Sequence, residues 1–323
     1  MRGDAFATVL KRLRTANKVE SNTMSERLIL ISEHLRVALS SKGAELHSVL
    51  DKDHREWLWQ GDPGSWPRRA PVLFPVVGRC GGNIVRHRDT SYPMTIHGFA
   101  PDAEFAVEAH EEDHCVLVYT ANDQTRESYP FDFRLQVSFE LSDASLVQRA
   151  TVTNLGDDDM PSSVGFHPGF QWPLPSSGTS GREKHVVMFE RHEDHPVRRI
   201  SDCGLEPPVH PTPVFHQEIH LDDELFRAGA IVFDRLRSRK AWFGVPGLEG
   251  VRIDLCDMPH LGLWTLPPAN FLCIEPWQGY GDPKDFTGQL LDKPGMVRLA
   301  PGASYTRTIR MAFLCETPDW LGS

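Results

Sequence analysis

Short apolar segments separated by turn-forming residues follow one another along most of the chain, and this pattern limits the fold more than any other feature. Residues 28–31 and 35–39 are early examples, rich in Leu, Ile and Val, and Ser-Lys-Gly turn residues follow the second. Four later segments have the same character: residues 104–110, 115–120, 131–141 and 146–154. No long stretch shows helical periodicity. The pattern therefore predicts an all-β fold, either a sandwich or a barrel.

Length and charge restrict the number of domains and the kinds of partner. A chain of 323 residues can form one large domain or two. We predict a single domain over residues 26–323, because strand-like segments resume directly after each loop rich in Pro or Gly. Residues 1–25 are basic and lack the apolar stretch of a signal peptide, so we predict a flexible N-terminal extension. The net charge of -10 argues against nucleic acid as a partner, and no apolar run is long enough to span a membrane.

The cysteine and histidine patterns give no sign of a disulfide framework or a metal centre. The six cysteines are scattered and form no CxxC pair, which favours reduced thiols and a cytoplasmic protein. Residues 191–195, Arg-His-Glu-Asp-His, depart from the HExxH zinc motif and lie in a polar, loop-like stretch. We therefore predict no metal and no cofactor. The motifs of serine hydrolases, NTPases and dinucleotide-binding proteins are also absent.

One carboxylate interrupts the apolar stretch at residues 271–280, Phe-Leu-Cys-Ile-Glu-Pro-Trp-Gln-Gly-Tyr. Burying a charged group is unfavourable unless something compensates it, and burial can shift the pKa of a Glu towards neutrality. Such a Glu can act as a general base. For an isolated Glu275, a solvent-facing position at a strand end would be the simpler interpretation.

Two histidines lie in similar short, aromatic-flanked segments upstream. His97 stands between Ile96 and Gly98, and His167 stands between Phe166 and Pro168. Taken singly, each could be a buried histidine whose ring binds the backbone. Two imidazoles and one carboxylate are also the groups needed for paired acid and base catalysis near neutral pH.

The order of these segments resembles the aldose 1-epimerase (galactose mutarotase-like) family, and most closely its LacX-related bacterial branch. The resemblance extends from about residue 28 to residue 313. Five segments carry it: residues 74–79 (FPVVGR), 97–100 (HGFA), 165–170 (GFHPGF), 261–265 (LGLWT) and 273–277 (CIEPW).

The resemblance implies a large antiparallel β-sandwich that interconverts the α and β anomers of a free aldose without a cofactor. It implies that His167 is the catalytic acid and Glu275 the base. A second histidine, His97, would assist catalysis near the ring oxygen, and His97 and Arg79 would hold the sugar. We also expect Trp264 or Trp277 to stack on the pyranose ring.

Two other functions stay open at this point. A hexose-6-phosphate 1-epimerase would need a basic clamp for the phosphate, which Arg79, Arg86 and Arg88 could form. A non-catalytic carbohydrate-binding or regulatory protein would bind sugar without exchanging anomers, although binding alone requires neither an acid nor a base. The chain has His97-Gly98-Phe99 where galactose mutarotases have His-Gly-Gly, and no residue matches their sugar-binding Asp. The sugar and the oligomeric state are therefore not predicted.

Overall fold

The computed structural model describes residues 27–201 and 204–320, and the regular secondary structure in these ranges consists mainly of antiparallel strands. The extension predicted for residues 1–25 lies outside the described residues. The strands, numbered in chain order, are β1 Arg27–Ile31, β2 Leu35–Ser40, β3 Glu45–Asp51, β4 Val72–Leu73, β5 Ile84–His87, β6 Thr90–Pro93, β7 Ala106–His110, β8 His114–Thr120, β9 Phe133–Ser142, β10 Ser145–Asn154, β11 Met160–Ser162 and β12 Val164–Phe166.

The second half of the chain continues in the same way. Its strands are β13 Gly169–Gln171, β14 Val186–Phe189, β15 Arg198–Ser201, β16 Gly204–Leu205, β17 Glu218–His220, β18 Ile231–Phe233, β19 Lys240–Gly244, β20 Gly250–Asp254, β21 His260–Trp264, β22 Phe271–Gln278, β23 Val297–Leu299 and β24 Ser304–Cys315. Helices within the described ranges are short. They are α1 Asp123–Arg126 and the 3-10 helices Gly81–Asn83, Ala100–Asp102, Pro175–Ser177, Arg182–Lys184, Glu224–Phe226 and Leu290–Asp292.

Two large sheets dominate the architecture. One has nine strands in the order β17-β14-β19-β20-β24-β10-β9-β8-β7. The other has the order β16-β15-β18-β21-β22-β12-β4, with β13 also paired to β22. The strands β1-β2-β3 form a separate sheet, and β5-β6 and β11-β23 form two-stranded ribbons.

The core lies between the inner faces of the two large sheets. In β9 the alternate residues from Phe133 to Leu141 are buried, as a strand with one face in a core requires. Leu272 and Ile274 of β22 belong to the same apolar cluster as Val137 of β9. Inner faces of two sheets that share one core define a β-sandwich, so the predicted all-β sandwich is confirmed.

The second face of β22 bears the side chains of the site. Because successive side chains of a strand point to opposite faces, Cys273, Glu275 and Trp277 point away from Leu272 and Ile274. All eight residues of β22 are buried, so the surrounding loops cover this second face as well. No helix in the described part of the chain has the length and apolar character needed to cross a membrane.

Candidate active site

Strand pairing brings His167 beside Glu275. The strands β12 and β13 precede and follow the dipeptide His167-Pro168, and both pair with β22 in one continuous register that sets His167 opposite Glu275. Pro168 and Pro276 have no N–H to donate, so the regular ladder is interrupted at this point. The interruption leaves the two functional side chains facing each other at the junction of the two strands.

The two side chains are in close contact and almost fully buried. His167 Nε2 lies 2.9 Å from Glu275 Oε2, and the side chains are 8% and 1% exposed. The two atoms are not aligned as a hydrogen bond. Within the described residues, Glu275 Oε2 and His167 Nδ1 have no hydrogen-bond partner. Buried polar atoms are normally paired, so this pair retains bonding capacity for a ligand.

The backbone fixes the orientation and tautomer of His97. The Gly78 N–H donates to His97 Nδ1 at 3.1 Å, and the His97 N–H donates to the Gly78 carbonyl at 2.9 Å. Burial lowers the pKa of His97 well below its ordinary value, and nearby positive charges add to this effect. The neutral ring therefore carries its proton on Nε2. The His97 ring lies edge-on to His167, with the ring centroids 5.4 Å apart.

The turn that carries Gly78 is itself held by a buried ion pair. Lys293 Nζ lies 2.5 Å from Asp282 Oδ1, and the Gly81 N–H donates to Asp282 Oδ2 at 2.8 Å. The backbone N–H of Asp282 also donates to the carbonyl of Arg79 at 2.9 Å. This pair ties the loop after β22 to the segment that orients His97.

Aromatic side chains enclose the acid–base pair. The Trp66 indole packs on the His167 ring with centroids 4.9 Å apart and planes 31° apart, while Trp264 meets the same ring edge-on at 5.8 Å. Trp277 lies over Gly262, where an added Cβ would come within 2.5 Å of the indole. The Trp277 Nε1–H is buried and has no partner in the described part of the chain.

These groups share one cleft of about 400 Å³, a volume suited to a small ligand. Five residues predicted for the site line it together: His97, His167, Trp264, Glu275 and Trp277. The sequence had marked them in four separate segments. Their convergence on one cleft gives the chain a possible acid, a base, a neutral donor and aromatic surfaces within one enclosed space.

Arg79 occupies a different position. Its side chain is exposed, donates to Asn83 Oδ1 at 3.3 Å, and lines a neighbouring hollow of about 630 Å³ instead of the cleft. Neither Arg86 nor Arg88 lines the cleft, and Arg88 pairs with Asp158. The contact between Arg79 and a sugar stays a prediction.

Among the aromatic and charged residues that line the cleft, Trp66 and Arg68 were not singled out from the sequence. The Arg68 guanidinium donates to the Pro101 carbonyl at 3.0 Å and to the Asp102 carboxylate at 2.9 Å. The only sequence signal that could have indicated these two residues was their position just before the buried strand β4. An aromatic turn does not reveal which of its side chains face inward.

One group of potential metal ligands occurs among the described residues. His167, Cys273 and Glu275 are all buried, and their ligand atoms lie within 4.8 Å of one another. In the segment around His192, which departs from the HExxH zinc motif, the acidic side chain has a different role. There, the buried carboxylate of Glu193 accepts hydrogen bonds from the backbone N–H groups of Arg237 and Ser238.

The fold and the site together define a β-sandwich protein with a buried imidazole–carboxylate pair at the base of a small-molecule cleft. The family model described as Aldose 1-epimerase matches residues 27–238. Protein LacX of Lactococcus lactis subsp. lactis, in its plasmid and chromosomal forms, is 31% identical over 283 residues, which are 84% of this chain and 94% of LacX. The chain belongs to the aldose 1-epimerase family.

Solved structures support the same assignment. The galactose mutarotase related enzyme from Lactobacillus acidophilus is 32% identical in sequence and superposes with a TM-score of 0.83. The match covers 90% of this chain and 98% of that protein. A galactose mutarotase-like protein from Lactobacillus casei ATCC 334 is 27% identical in sequence and superposes with a TM-score of 0.80. This match covers 89% of this chain and 100% of that protein. The resemblance predicted from the five sequence segments is thus confirmed.

Proposed function

We propose that the protein is an aldose 1-epimerase that interconverts the α and β anomers of a free hexose by opening and closing the sugar ring. The observation that carries the proposal is the 2.9 Å contact between His167 Nε2 and Glu275 Oε2 inside the cleft. An acid and a base this close can both reach the two oxygens bonded to a single anomeric carbon. Glu275 Oε2 has no hydrogen-bond partner within the described residues, so it is available to a sugar hydroxyl.

Two proton transfers open the ring. The Glu275 carboxylate accepts the proton of the anomeric hydroxyl, while the His167 imidazolium donates a proton to the ring oxygen. The C1–O5 bond breaks as the carbonyl forms, which gives the open-chain aldehyde. Rotation about C1–C2 presents the other face of the carbonyl, and the reverse transfers close the ring. The enzyme returns to its starting protonation state, so the proposal includes no cofactor.

The remaining groups of the cleft position the sugar. His97 is held neutral with its proton on Nε2, so in this proposal it donates a hydrogen bond without competing as an acid. The Trp277 Nε1–H provides a second unpaired donor at the cleft. The indole of Trp264 provides an apolar surface for a face of the pyranose ring.

The distribution of arginines favours a free hexose over a hexose 6-phosphate. A phosphate dianion is best held by charge-assisted hydrogen bonds from several basic groups. Arg79, Arg86 and Arg88 do not line the cleft. Arg68 does, but its guanidinium already pairs with the Asp102 carboxylate. A protein that only bound sugar would have no need for the buried His167–Glu275 pair.

Anomer exchange measured by NMR saturation transfer tests the proposal, with galactose, glucose and glucose 6-phosphate as substrates. We expect the wild-type protein to accelerate exchange of a free hexose and His167→Asn to lower the rate by about 10²–10⁴, the usual contribution of a positioned acid. His220→Asn, an exposed histidine outside the cleft, is the matched control. Faster exchange of glucose 6-phosphate than of either hexose would favour the sugar-phosphate function. Sugar binding without exchange would favour the binding protein.

We also propose that residues 26–323 act as one domain and that the protein works in the cytoplasm. The common core of the two large sheets supports the first statement for the described residues. Cys80, Cys256, Cys273 and Cys315 form no disulfide, as expected in a reducing compartment. Limited proteolysis that released a stable fragment from within residues 27–320 would contradict the single domain.

A further inference from the structure

Cys273 has no part in the proposed reaction, yet its thiol lies beside the acid and the base. It is two residues before Glu275 on the same face of β22 and is completely buried. Cys273 Sγ, a ring nitrogen of His167 and a carboxylate oxygen of Glu275 all lie within 4.8 Å of one another. Mutarotation uses an imidazole and a carboxylate, so the chemistry leaves the presence of a thiol at this distance unexplained.

We propose that His167, Cys273 and Glu275 form a binding site for Zn²⁺ and that the bound ion inhibits the enzyme. Thiolate sulfur, imidazole nitrogen and carboxylate oxygen are the three ligand types that Zn²⁺ takes in proteins. Bond lengths of about 2.0–2.3 Å to these atoms mean that small adjustments of the three side chains suffice to bind one ion. Three protein ligands leave a fourth position open towards the cleft, where water can bind.

The missing hydrogen bond at Glu275 Oε2 is a second observation that supports the site. Its side chain is 1% exposed, and Oε2 has no hydrogen bond within the described residues. A buried carboxylate oxygen without a partner is costly, and a cation beside it removes that cost. The thiol then selects a soft or borderline cation, because Mg²⁺ and Ca²⁺ prefer oxygen ligands.

Binding must release protons. Zn²⁺ binds a thiolate, so the Cys273 thiol loses its proton as the Zn–S bond forms, and His167 loses one wherever its ring is protonated. Burial raises the pKa of the Cys273 thiol well above its ordinary value, and the charge of Glu275 raises it further. The affinity for Zn²⁺ should therefore increase with pH across the neutral range.

The ion would block both proton transfers at once. Bound to His167 Nε2 and Glu275 Oε2, it occupies the atoms that donate and accept the protons during ring opening. Inhibition should be competitive with the hexose, because the ion and the sugar need the same atoms. The inhibition depends on the proposed mutarotase activity, whereas the binding of Zn²⁺ does not.

Equilibrium dialysis with Zn²⁺ tests the site on the full chain, in wild type, Cys273→Ser and Cys256→Ser. Cys256 is an exposed thiol outside the cleft and serves as the matched control. We expect wild type and Cys256→Ser to bind one ion tightly and Cys273→Ser to bind it at least about tenfold more weakly. Mg²⁺ should not compete. The rate of anomer exchange is measured for each variant relative to its own metal-free rate. The Zn²⁺ concentration that halves this rate should rise in Cys273→Ser, in parallel with the weaker binding.

Three results would overturn the site: no tight binding of Zn²⁺, equal binding by Cys273→Ser and wild type, or loss of binding in Cys256→Ser. If the protein exchanges no anomers, dialysis still decides the metal site, so its failure is distinguishable from that of the proposed function. If Cys273→Ser does not fold, Co²⁺ added to Cys256→Ser provides a second readout. A thiolate-to-cobalt charge-transfer band supports the site, and a spectrum without it contradicts the site.

Discussion

Lys293→Met should destabilise the protein by about 3 kcal/mol, although the residue touches no part of the cleft. Lys293 is 1% exposed and its ammonium lies 2.5 Å from the carboxylate of Asp282. Removing one partner of a buried ion pair costs about 3–5 kcal/mol, because the other charge stays buried without compensation. Asp282 retains its hydrogen bond from the Gly81 N–H, which places the expected loss at the lower end of that range.

Removal of both charges should recover part of this loss. In the double variant Asp282→Asn/Lys293→Met no uncompensated charge is buried, and contacting residues couple by about 0.5–3 kcal/mol. We therefore expect the double variant to be at least about 1 kcal/mol more stable than Lys293→Met alone. Lys284→Met, an exposed lysine in the same loop, is the matched control and should change stability by less than about 0.5 kcal/mol.

Urea-induced unfolding followed by tryptophan fluorescence measures these differences as free energies of unfolding extrapolated to water. The reasoning would be refuted if Lys293→Met lay within about 1 kcal/mol of wild type, since a buried pair in this geometry should cost more than a surface charge. It would also be refuted if the double variant were less stable than the single one. Either result would mean that the pair does not hold the Gly78–Gly81 turn as described.

Two further predictions concern backbone strain and pH. Gly98→Ala should destabilise the protein by more than about 1 kcal/mol in the same urea assay. The φ angle of Gly98 is +77°, and an added Cβ would lie 2.1 Å from the Phe74 carbonyl oxygen. Unchanged stability would contradict this prediction. Burial lowers the pKa of His260 from 6.5 to about 4, and its Nδ1 accepts the Gly279 N–H. The unfolded chain therefore binds the extra proton first, so stability should fall, by at most about 3 kcal/mol, as pH drops from 6.5 to 4. His260→Gln should flatten this dependence, and an equally steep decline in the variant would contradict the assignment.

The strands could be predicted because each leaves a local signature in the sequence. The alternating residues near the C-terminus, for example, become β24, which extends from Ser304 to Cys315. The order of strands in the sheets could not be predicted in this way. β24 lies between β10 and β20 in its sheet, and β10 is more than 140 residues distant along the chain. Such pairings depend on the complementarity of distant faces, which no local pattern contains.

The site was predictable where short rigid segments carry the functional side chains. His97, His167 and Glu275 lie in segments whose order resembles the family, and the structure brings all three to one cleft. Side chains on irregular segments were harder to place. Trp66 faces the cleft from an aromatic turn, and Arg79 points into the neighbouring hollow. In both cases the direction of the side chain depends on the path of a loop, which the residue types do not determine.

The measurement that tests the central claim most directly is the rate of anomer exchange of a free hexose in wild type and Glu275→Gln. Gln has nearly the same shape as Glu but cannot accept the proton of the anomeric hydroxyl as a carboxylate does. Glu111→Gln, an exposed residue outside the cleft, is the matched control. We predict that Glu275→Gln folds, still binds the sugar and exchanges anomers about 10²–10⁴ times more slowly. A variant that folds, binds the sugar and exchanges at the wild-type rate would contradict the assignment of Glu275 as the base.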